Sequence, residues 1–211
     1  VCRAPGRCSL MRGASNRVEK PSPRSKLFFL KQYFKKPFGI GAVVPSSQRL
    51  AQIMVESIDP QPNEIIVELG PGTGVFTREL LARGVAPANL ILIEFNAHFA
   101  MFLRAEFPGL RVVEGDAQEL PQILNRIGLP AVDKIISGIP LRSMKPLVRK
   151  AIASAISASL KPGGKLVQFS YFNTLPISKI AAGEMGLNGH RTGVALGNMP
   201  PAFVWQYNKI R

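Results

Sequence analysis

The feature that most constrains this chain is a short apolar run that leads directly into a glycine-rich segment. Residues 64–77 read EIIVELGPGTGVFT. A brief apolar run ending in glycine is typical of a buried strand, and the following residues have the apolar spacing of a helix that Gly84 closes. Glycine permits positive φ and lets a ligand approach the backbone closely. The stretch therefore predicts a strand, a ligand-binding turn and a helix.

Strands and helices alternate along the rest of the chain. Further strands are predicted in NLILIE, GLRVVEGD, VDKIISGIP and GKLVQFSYF, and the segments between them include amphipathic helices. Residues 190–210 form two extended segments around NMPP, which predicts an antiparallel hairpin. Strands that are almost uniformly apolar favour a mostly parallel sheet covered by helices on both faces. The predicted class is therefore α/β, with a seven-stranded sheet.

Acidic residues accompany three successive predicted strands. Glu68 precedes the first glycine, Glu94 ends the second strand, and Asp116 follows the third. Ligands of parallel sheets bind beyond the carboxyl ends of the strands, where Glu94 can accept both hydroxyls of a ribose and Asp116 an exocyclic amine. Val75 stands one place after the third glycine, so the loop lacks the G-x-G-x-x-G of dinucleotide sites. Glu68 would repel phosphate and suits a ligand with an ammonium group.

The segment VELGPGTGVFT and these three acids resemble the class I S-adenosylmethionine-dependent methyltransferases over residues 46–211. The resemblance implies a Rossmann-like fold, S-adenosylmethionine as cofactor, S-adenosylhomocysteine as product, and no metal. In that family the glycine loop contacts the methionine part, the acid after the second strand holds the ribose, and the aspartate after the third meets adenine. The implied cofactor-binding residues are Glu68, Gly70, Pro71, Gly72, Thr73, Gly74, Glu94, Phe95, Asp116, Ala117 and Ser137.

The segment after the fourth strand, SGIPL at residues 137–141, bears on the methyl acceptor. Adenine-amino methyltransferases, including the ribosomal RNA dimethylases, have Asn or Asp, then Pro, then an aromatic ring that stacks on the base. Here Ser137 replaces the amide side chain and Leu141 replaces the ring. Leucine has no π-face, so a nucleic-acid acceptor is disfavoured, although the net charge of +14 favours one.

The stretch FLKQYFKKPFGIGAVVPSSQRLA at residues 29–51, taken with SGIPL, resembles the bacterial phospholipid N-methyltransferases. That resemblance implies N-methylation of phosphatidylethanolamine and its mono- and dimethyl derivatives towards phosphatidylcholine. Ornithine-lipid N-methylation and ribosomal RNA adenine dimethylation stay open as alternatives. Aromatic faces suit an amine that gains cationic character as it is methylated. The predicted catalytic-site residues are Tyr33, Ser137, Gly138 and Tyr171.

Residues 25–36, SKLFFLKQYFKK, predict an amphipathic helix in a membrane interface. On a helical wheel the leucines and rings share one broad arc and the lysines the other, with Phe28 as the exception. Lysines near an anionic surface add attraction that salt screens. A helix packed on the core of the domain is the alternative. The predicted substrate- and membrane-binding residues are Lys26, Phe28, Phe29, Lys31, Lys35, Lys36, His190 and Arg191, the last two as candidates for lipid phosphate.

Three regions are predicted along the chain. Residues 1–22 are expected to be a basic, flexible tail, residues 23–45 a membrane-binding helix and lid segment, and residues 46–211 the catalytic domain. Residues 1–36 contain ten basic side chains and one acidic one, which suits a polyanion, either nucleic acid or an anionic membrane surface. The only cysteines, Cys2 and Cys8, lie in the tail and suit a reducing compartment. We expect a cytoplasmic protein bound peripherally to the inner face of a bacterial membrane, with a phospholipid as substrate and no nucleic-acid partner; oligomeric state is open.

Overall fold

The computed structural model describes residues 48–198 and 200–210. Its strands are β1 (Ile66–Leu69), β2 (Leu90–Glu94), β3 (Arg111–Glu114), β4 (Val132–Ser137), β5 (Leu160–Ser170), β6 (Leu187–Ala195) and β7 (Ala202–Lys209). Its helices are α1 (Gln48–Ile58), α2 (Val75–Ala82), α3 (Ala97–Glu106), α4 (Leu120–Arg126), α5 (Pro146–Ser159) and α6 (Lys179–Glu184). Short 3₁₀ turns cover Pro87–Asn89, Ala117–Glu119 and Leu141–Ser143.

The strands form one sheet in the order β3-β2-β1-β4-β5-β7-β6. The pairs formed among β1 to β5 are parallel, and β7 is antiparallel to both β5 and β6. This confirms the predicted Rossmann-like fold with its C-terminal hairpin. Strand order reverses between β1 and β4, so these two strands flank the switch point at which such sheets bind ligands. We call the edge where β1 to β5 end the carboxyl edge.

Alternate strand residues face two apolar layers. Ile135 on β4 packs in one layer with Ile156 of α5, and its neighbour Ile136 packs in the other with Met54 of α1. Every residue of β1 and β2 is buried, as expected of parallel strands covered on both faces. Each large apolar side chain buried in this way contributes about 1.5–3 kcal/mol before entropy is counted. These two layers hold the carboxyl edge rigid.

The helix boundaries follow local signals in the sequence. Asn96 is the N-cap of α3, because its Oδ1 accepts from the backbone N–H of His98 at 2.9 Å. Pro146 occupies the first turn of α5, as predicted. The spacing does not predict α4 and α6, whose seven and six residues complete at most two turns. Within the described residues, no helix is both long and apolar enough to cross a membrane.

Candidate active site

Backbone hydrogen bonds at the carboxyl edge join the loop that leaves β1 to β2, and the loop that leaves β4 to β1. The N–H of Gly70 donates to the carbonyl of Ile93 at 2.9 Å, and the N–H of Gly138 donates to that of Leu69 at 2.8 Å. Leu69 also pairs in register with Ser137 on β4. The residues predicted from three separate motifs therefore meet at one place, around the switch point.

The glycine loop has the backbone conformation that its sequence predicts. Gly70, Gly72 and Gly74 have φ of 64°, 55° and 76°, a region that side chains disfavour. A Cβ at Gly74 would lie 2.6 Å from the ring of Phe107, whereas a Cβ at Gly72 would meet nothing within 4 Å. Gly74 is thus required by packing, and Gly72 faces open space that a ligand can occupy.

Pro71 and Thr73 act through their carbonyl groups. The carbonyl of Pro71 accepts from the N–H of Gly74 at 2.8 Å, which closes the turn before α2. The carbonyl of Thr73 accepts from Nη1 of Arg78 at 2.9 Å. These two hydrogen bonds to backbone carbonyls hold the loop in its conformation.

Glu94 connects the loops that follow β1 and β2. Its Oε2 accepts from the N–H of Gly72 at 3.0 Å, and its Oε1 accepts from the N–H of Asn96 at 2.8 Å. The side chain is nearly buried, and this burial raises its pKa while the amide donors oppose the rise. A carboxylate oxygen can accept more than one hydrogen bond, so Glu94 keeps capacity for the hydroxyls of a ribose.

Glu68 is completely buried beside the glycine loop. Its Oε2 accepts from Oγ1 of Thr77 at 2.7 Å, and its Oε1 has no hydrogen-bond partner among the described residues. Burial raises the pKa of Glu68 to about 8; the Thr77 hydroxyl opposes the rise and the nearby Glu94 adds to it. A buried acceptor without a donor is costly, so this oxygen suits an ammonium group brought by a ligand.

The loops after β2 and β3 add the last predicted cofactor residues. Asp116 begins a 3₁₀ turn, and its carboxylate accepts from the backbone N and from Nε2 of Gln118, each at 2.9 Å. Ala117 is buried, whereas the ring of Phe95 is 74% exposed. An exposed aromatic ring and a partly satisfied carboxylate at one edge can provide an apolar face and an acceptor for a purine.

Comparison with known proteins identifies the family. Residues 66–164 match the model of a methyltransferase domain family. Over 145 residues the chain is 32% identical to the ornithine lipid N-methyltransferase of Singulisphaera acidiphila, a match that covers 67% of this chain and 76% of that protein. The chain belongs to the class I S-adenosylmethionine-dependent methyltransferases. Its cofactor is S-adenosylmethionine.

Two further similarities are less extensive or concern the fold alone. The methyltransferase is 35% identical over 100 residues to ribosomal RNA small subunit methyltransferase A of Methylococcus capsulatus, a match covering 46% of this chain and only 37% of that relative's length. The crystal structure of precorrin-6y C5,15-methyltransferase from Geobacter metallireducens superposes with a TM-score of 0.61 at 18% identity, covering 82% of this chain and 95% of that one. At this identity the structural similarity supports the fold alone.

The residues of this methyltransferase fit S-adenosylmethionine. The open space at Gly72 leaves room beside the loop backbone, and the unpartnered Oε1 of Glu68 is an acceptor for the ammonium of the cofactor. Glu94 and Asp116 would hold the ribose and the adenine amine. In the described residues, no group of three or more His, Cys, Asp or Glu side chains is arranged to bind a metal ion.

The loop after β4 packs tightly on the glycine loop. A Cβ at Gly138 would lie 2.6 Å from the carbonyl oxygen of Gly70, so only glycine fits. Oγ of the buried Ser137 accepts from the N–H of Ile139 at 3.3 Å. Leu141, at the place of an aromatic ring in the adenine-amino enzymes, is 1% exposed and belongs to the core. The loop therefore presents backbone rather than a stacking surface.

Tyr171 lies just beyond the end of β5, half-buried against the α1 side of the core. Its ring meets that of Phe169 edge to face, with centroids 5.4 Å apart. The hydroxyl is buried without a partner among the described residues, and burial raises its pKa. Tyr171 thus stays protonated at neutral pH and offers its ring, not a phenolate.

Gln168 is a candidate functional residue that the sequence motifs do not predict. It is completely buried on β5, opposite Ser137 on β4. Its Nε2 donates to the carbonyl of Ile139 at 2.8 Å and to that of Phe169 at 2.9 Å, and its Oε1 lacks a partner among the described residues. The one signal in the sequence is a lone amide within an apolar strand, which must be hydrogen-bonded if it is buried.

The other predicted substrate-binding residues are not brought together. His190 and Arg191 are consecutive on β6, so their side chains point to opposite faces of the sheet. Nη1 of Arg191 donates to Oδ1 of Asn173 at 2.7 Å. A single phosphate cannot easily meet both, and each role stays a separate prediction. Tyr33, Lys26, Phe28, Phe29, Lys31, Lys35 and Lys36 lie outside the described residues, and their roles also stay predictions.

Proposed function

We propose that this methyltransferase methylates the primary amine of a membrane-lipid headgroup. The acceptor favoured by the sequence motifs is phosphatidylethanolamine, which three successive methylations would convert to phosphatidylcholine. The observation that carries the proposal is the loop after β4. Its Ser137 hydroxyl is turned to Ile139, its Leu141 is buried, and neither an amide side chain nor an aromatic ring projects from it. A nucleobase would find no stacking partner there.

One relative supports a lipid acceptor and favours a second candidate within that class. The match to the ornithine lipid N-methyltransferase covers 76% of that protein, and the match to the ribosomal RNA enzyme of Methylococcus capsulatus covers 37% of its length. Ornithine lipid also offers a primary amine. Methylation of ornithine lipid is therefore the second candidate, and adenine dimethylation in ribosomal RNA is the least supported.

In this methyl transfer the side chains act mainly by positioning the reactants. S-adenosylmethionine supplies a methyl group already activated by a sulfonium. The chain must hold the cofactor, align a neutral amine and exclude water. Glu94 and the glycine loop hold the cofactor. The tightly packed loop from Ser137 to Leu141 limits the position of the amine, and the ring of Tyr171 suits the growing cationic character of that amine. The raised pKa of Tyr171 makes its phenolate unavailable as proton acceptor at neutral pH.

The proposal includes reversible attachment to the inner face of a bacterial cytoplasmic membrane through residues 25–36. Four lysines and four aromatic rings in that segment suit headgroups and acyl boundary respectively. Deleting residues 1–30 should weaken sedimentation with anionic vesicles, and salt should weaken binding of the full chain. Unchanged, salt-insensitive binding would contradict this part.

Tyr33 is proposed to contact the headgroup amine as well as the membrane. Tyr33→Ala should therefore lower turnover more than it lowers vesicle binding. Equal losses of turnover and vesicle binding would remove Tyr33 from the headgroup site.

One assay tests the function. Labelled S-adenosylmethionine is offered with the full chain to phosphatidylethanolamine vesicles, to ornithine lipid vesicles and to ribosomal RNA. Label in phosphatidylethanolamine is the expected result, and label in ornithine lipid alone would select the second candidate. Label in RNA alone, with neither lipid labelled, would overturn the proposal.

A further inference from the structure

The C-terminal part of the chain is strongly basic. Residues 134–211 contain eleven basic side chains and one acid, Glu184. Lys134, Lys161 and Lys165 are paired with acids near the start of β4 and β5. The basic side chains of this part that have no acidic partner favour an anionic group on the acceptor.

Two arginines of this basic part lie near the loop from Ser137 to Leu141, which we call the acceptor loop, and are linked by one turn. Arg142 follows Leu141 in the 3₁₀ turn after β4, and its guanidinium carbon lies 5.8 Å from the ring centre of Phe172. Nη1 of Arg191 donates to Oδ1 of Asn173, the next residue in that turn, at 2.7 Å. Both arginines are exposed, and neither forms an ion pair with an acid of the described residues.

Strand pairing sets Arg191 at the level of the acceptor loop. Ser137, Gln168, Trp205 and Arg191 are directly opposite one another across β4, β5, β7 and β6, so they form one row on one face of the sheet. Trp205 is 9% exposed, and its Nε1 has no acceptor among the described residues. An unpaired buried donor next to a guanidinium is a donor set for an oxyanion.

We propose that Arg142 and Arg191, joined through the turn at Phe172 and Asn173, bind the anionic group of the acceptor headgroup. This inference rests on the proposed function, because an aminolipid carries an oxyanion a few bonds from its amine. The oxyanion is a phosphodiester in phosphatidylethanolamine and a carboxylate in ornithine lipid. Arginine holds either group through paired N–H donors. Holding the anion at this row directs the amine towards the loop at Ser137.

The test uses the full chain with saturating S-adenosylmethionine and mixed vesicles in two arms, one with phosphatidylethanolamine and one with ornithine lipid. The variants are Arg142→Gln, Arg191→Gln and the double variant. Arg126→Gln, an exposed arginine at the end of α4, is the control with the same change of charge. The double variant is expected to raise the KM for the acceptor lipid about tenfold, since it loses charged hydrogen bonds, with kcat and cofactor affinity within about twofold.

A second measurement does not depend on turnover. Calorimetric titration with glycerophosphoethanolamine should show saturable binding to the wild type and weaker binding to the double variant, with thermal unfolding confirming that the variants fold. The arm in which KM rises identifies the anion as phosphodiester, carboxylate or either. If the double variant has the same KM and the same calorimetric affinity as Arg126→Gln, the anion site is overturned. The proposed function is then left intact. Absence of wild-type activity on both lipids overturns the proposed function, and the headgroup assignment with it.

Discussion

The two sides of the switch point between β1 and β4 are built from different kinds of group. The proposed cofactor side combines the backbone of one glycine loop with three acids that lie in or directly after consecutive strands. The proposed acceptor side combines side chains from four strands, which meet only because β7 inserts between β5 and β6. The glycine loop is one continuous segment with a sequence signature, and each of the acids accompanies a strand that the sequence predicts. The row across β4, β5, β7 and β6 is assembled by strand pairing and has no such signature.

The largest expected effect comes from Gly138, where the two sides touch. Gly138→Ala places a Cβ 2.6 Å from the carbonyl oxygen of Gly70, and backbone must move on both sides. We expect loss of S-adenosylhomocysteine binding in calorimetry and destabilisation of about 2–3 kcal/mol in chemical unfolding. Gly183→Ala, in α6 with open space around it, should be neutral or slightly stabilising. A Gly138→Ala protein with wild-type stability and affinity would show that the sides are not coupled here.

Glu94 tests the cofactor side alone. In Glu94→Gln one of the two backbone N–H donors, at Gly72 or Asn96, must face an amide NH₂ instead of an oxygen. We expect the Kd for S-adenosylhomocysteine to rise on the order of 50-fold. Glu114→Gln, an exposed acid at the end of β3, is the control and should leave Kd unchanged. If both variants bind S-adenosylhomocysteine with the same Kd, the hydrogen bonds of Glu94 to Gly72 and Asn96 are not needed for cofactor binding.

Glu68 predicts a pH dependence on the cofactor side. Its pKa of about 8 in the folded protein exceeds the ordinary value of 4.5, so between these values the folded state binds more protons than the unfolded state. The stability of the cofactor-free protein should therefore fall as pH rises from 5 to 8. A cofactor ammonium favours the ionised carboxylate, so affinity should increase roughly tenfold from pH 6.5 to 8. Glu68→Gln should flatten both profiles; profiles that keep their slope would assign the titration to another group.

Gln168 tests the acceptor side without disturbing the cofactor side. Gln168→Met keeps the length of the side chain but removes its bond to the carbonyl of Ile139, which then accepts only from the N–H of Leu141. We expect kcat to fall about fivefold through misplacement of the acceptor loop, with the Kd of S-adenosylhomocysteine within about twofold. Leu166→Met, two residues earlier on the same face, is a control for packing. Equal losses of kcat and cofactor affinity would mean that Gln168 supports both sides.

The smallest effect is expected at Tyr171. Its hydroxyl is buried without a partner among the described residues, so Tyr171→Phe removes an unsatisfied group and should keep stability and kcat within about twofold of wild type. Tyr171→Leu removes the ring and should lower kcat for the second and third methylations more than for the first, because the cationic character of the amine grows. A large loss in Tyr171→Phe would assign a role to the hydroxyl.

Residues close together in the sequence were predictable, and residues joined only by the fold were not. The loop of Gly70, Gly72 and Gly74 has the positive φ that its spacing predicts, and Glu68 and Glu94 lie beside it at successive strand ends. The burial of Leu141 has no local signal, and the lone amide of Gln168 indicates a hydrogen bond without indicating that Ile139 is its partner. The separation of His190 from Arg191 follows once β6 is known to be a strand, since neighbours on a strand face opposite sides.

The sequence by itself determined the parallel α/β sheet, the glycine loop and the acids of the cofactor side, because apolar period, positive-φ glycine and strand-end carboxylates are properties of short continuous segments. The tertiary structure alone decided that Glu68 is buried with one free oxygen, that Gly138 touches Gly70, and that Gln168, Trp205 and Arg191 form a row with Ser137. Burial and strand register are relations between distant segments, and they exist only after the sheet has formed.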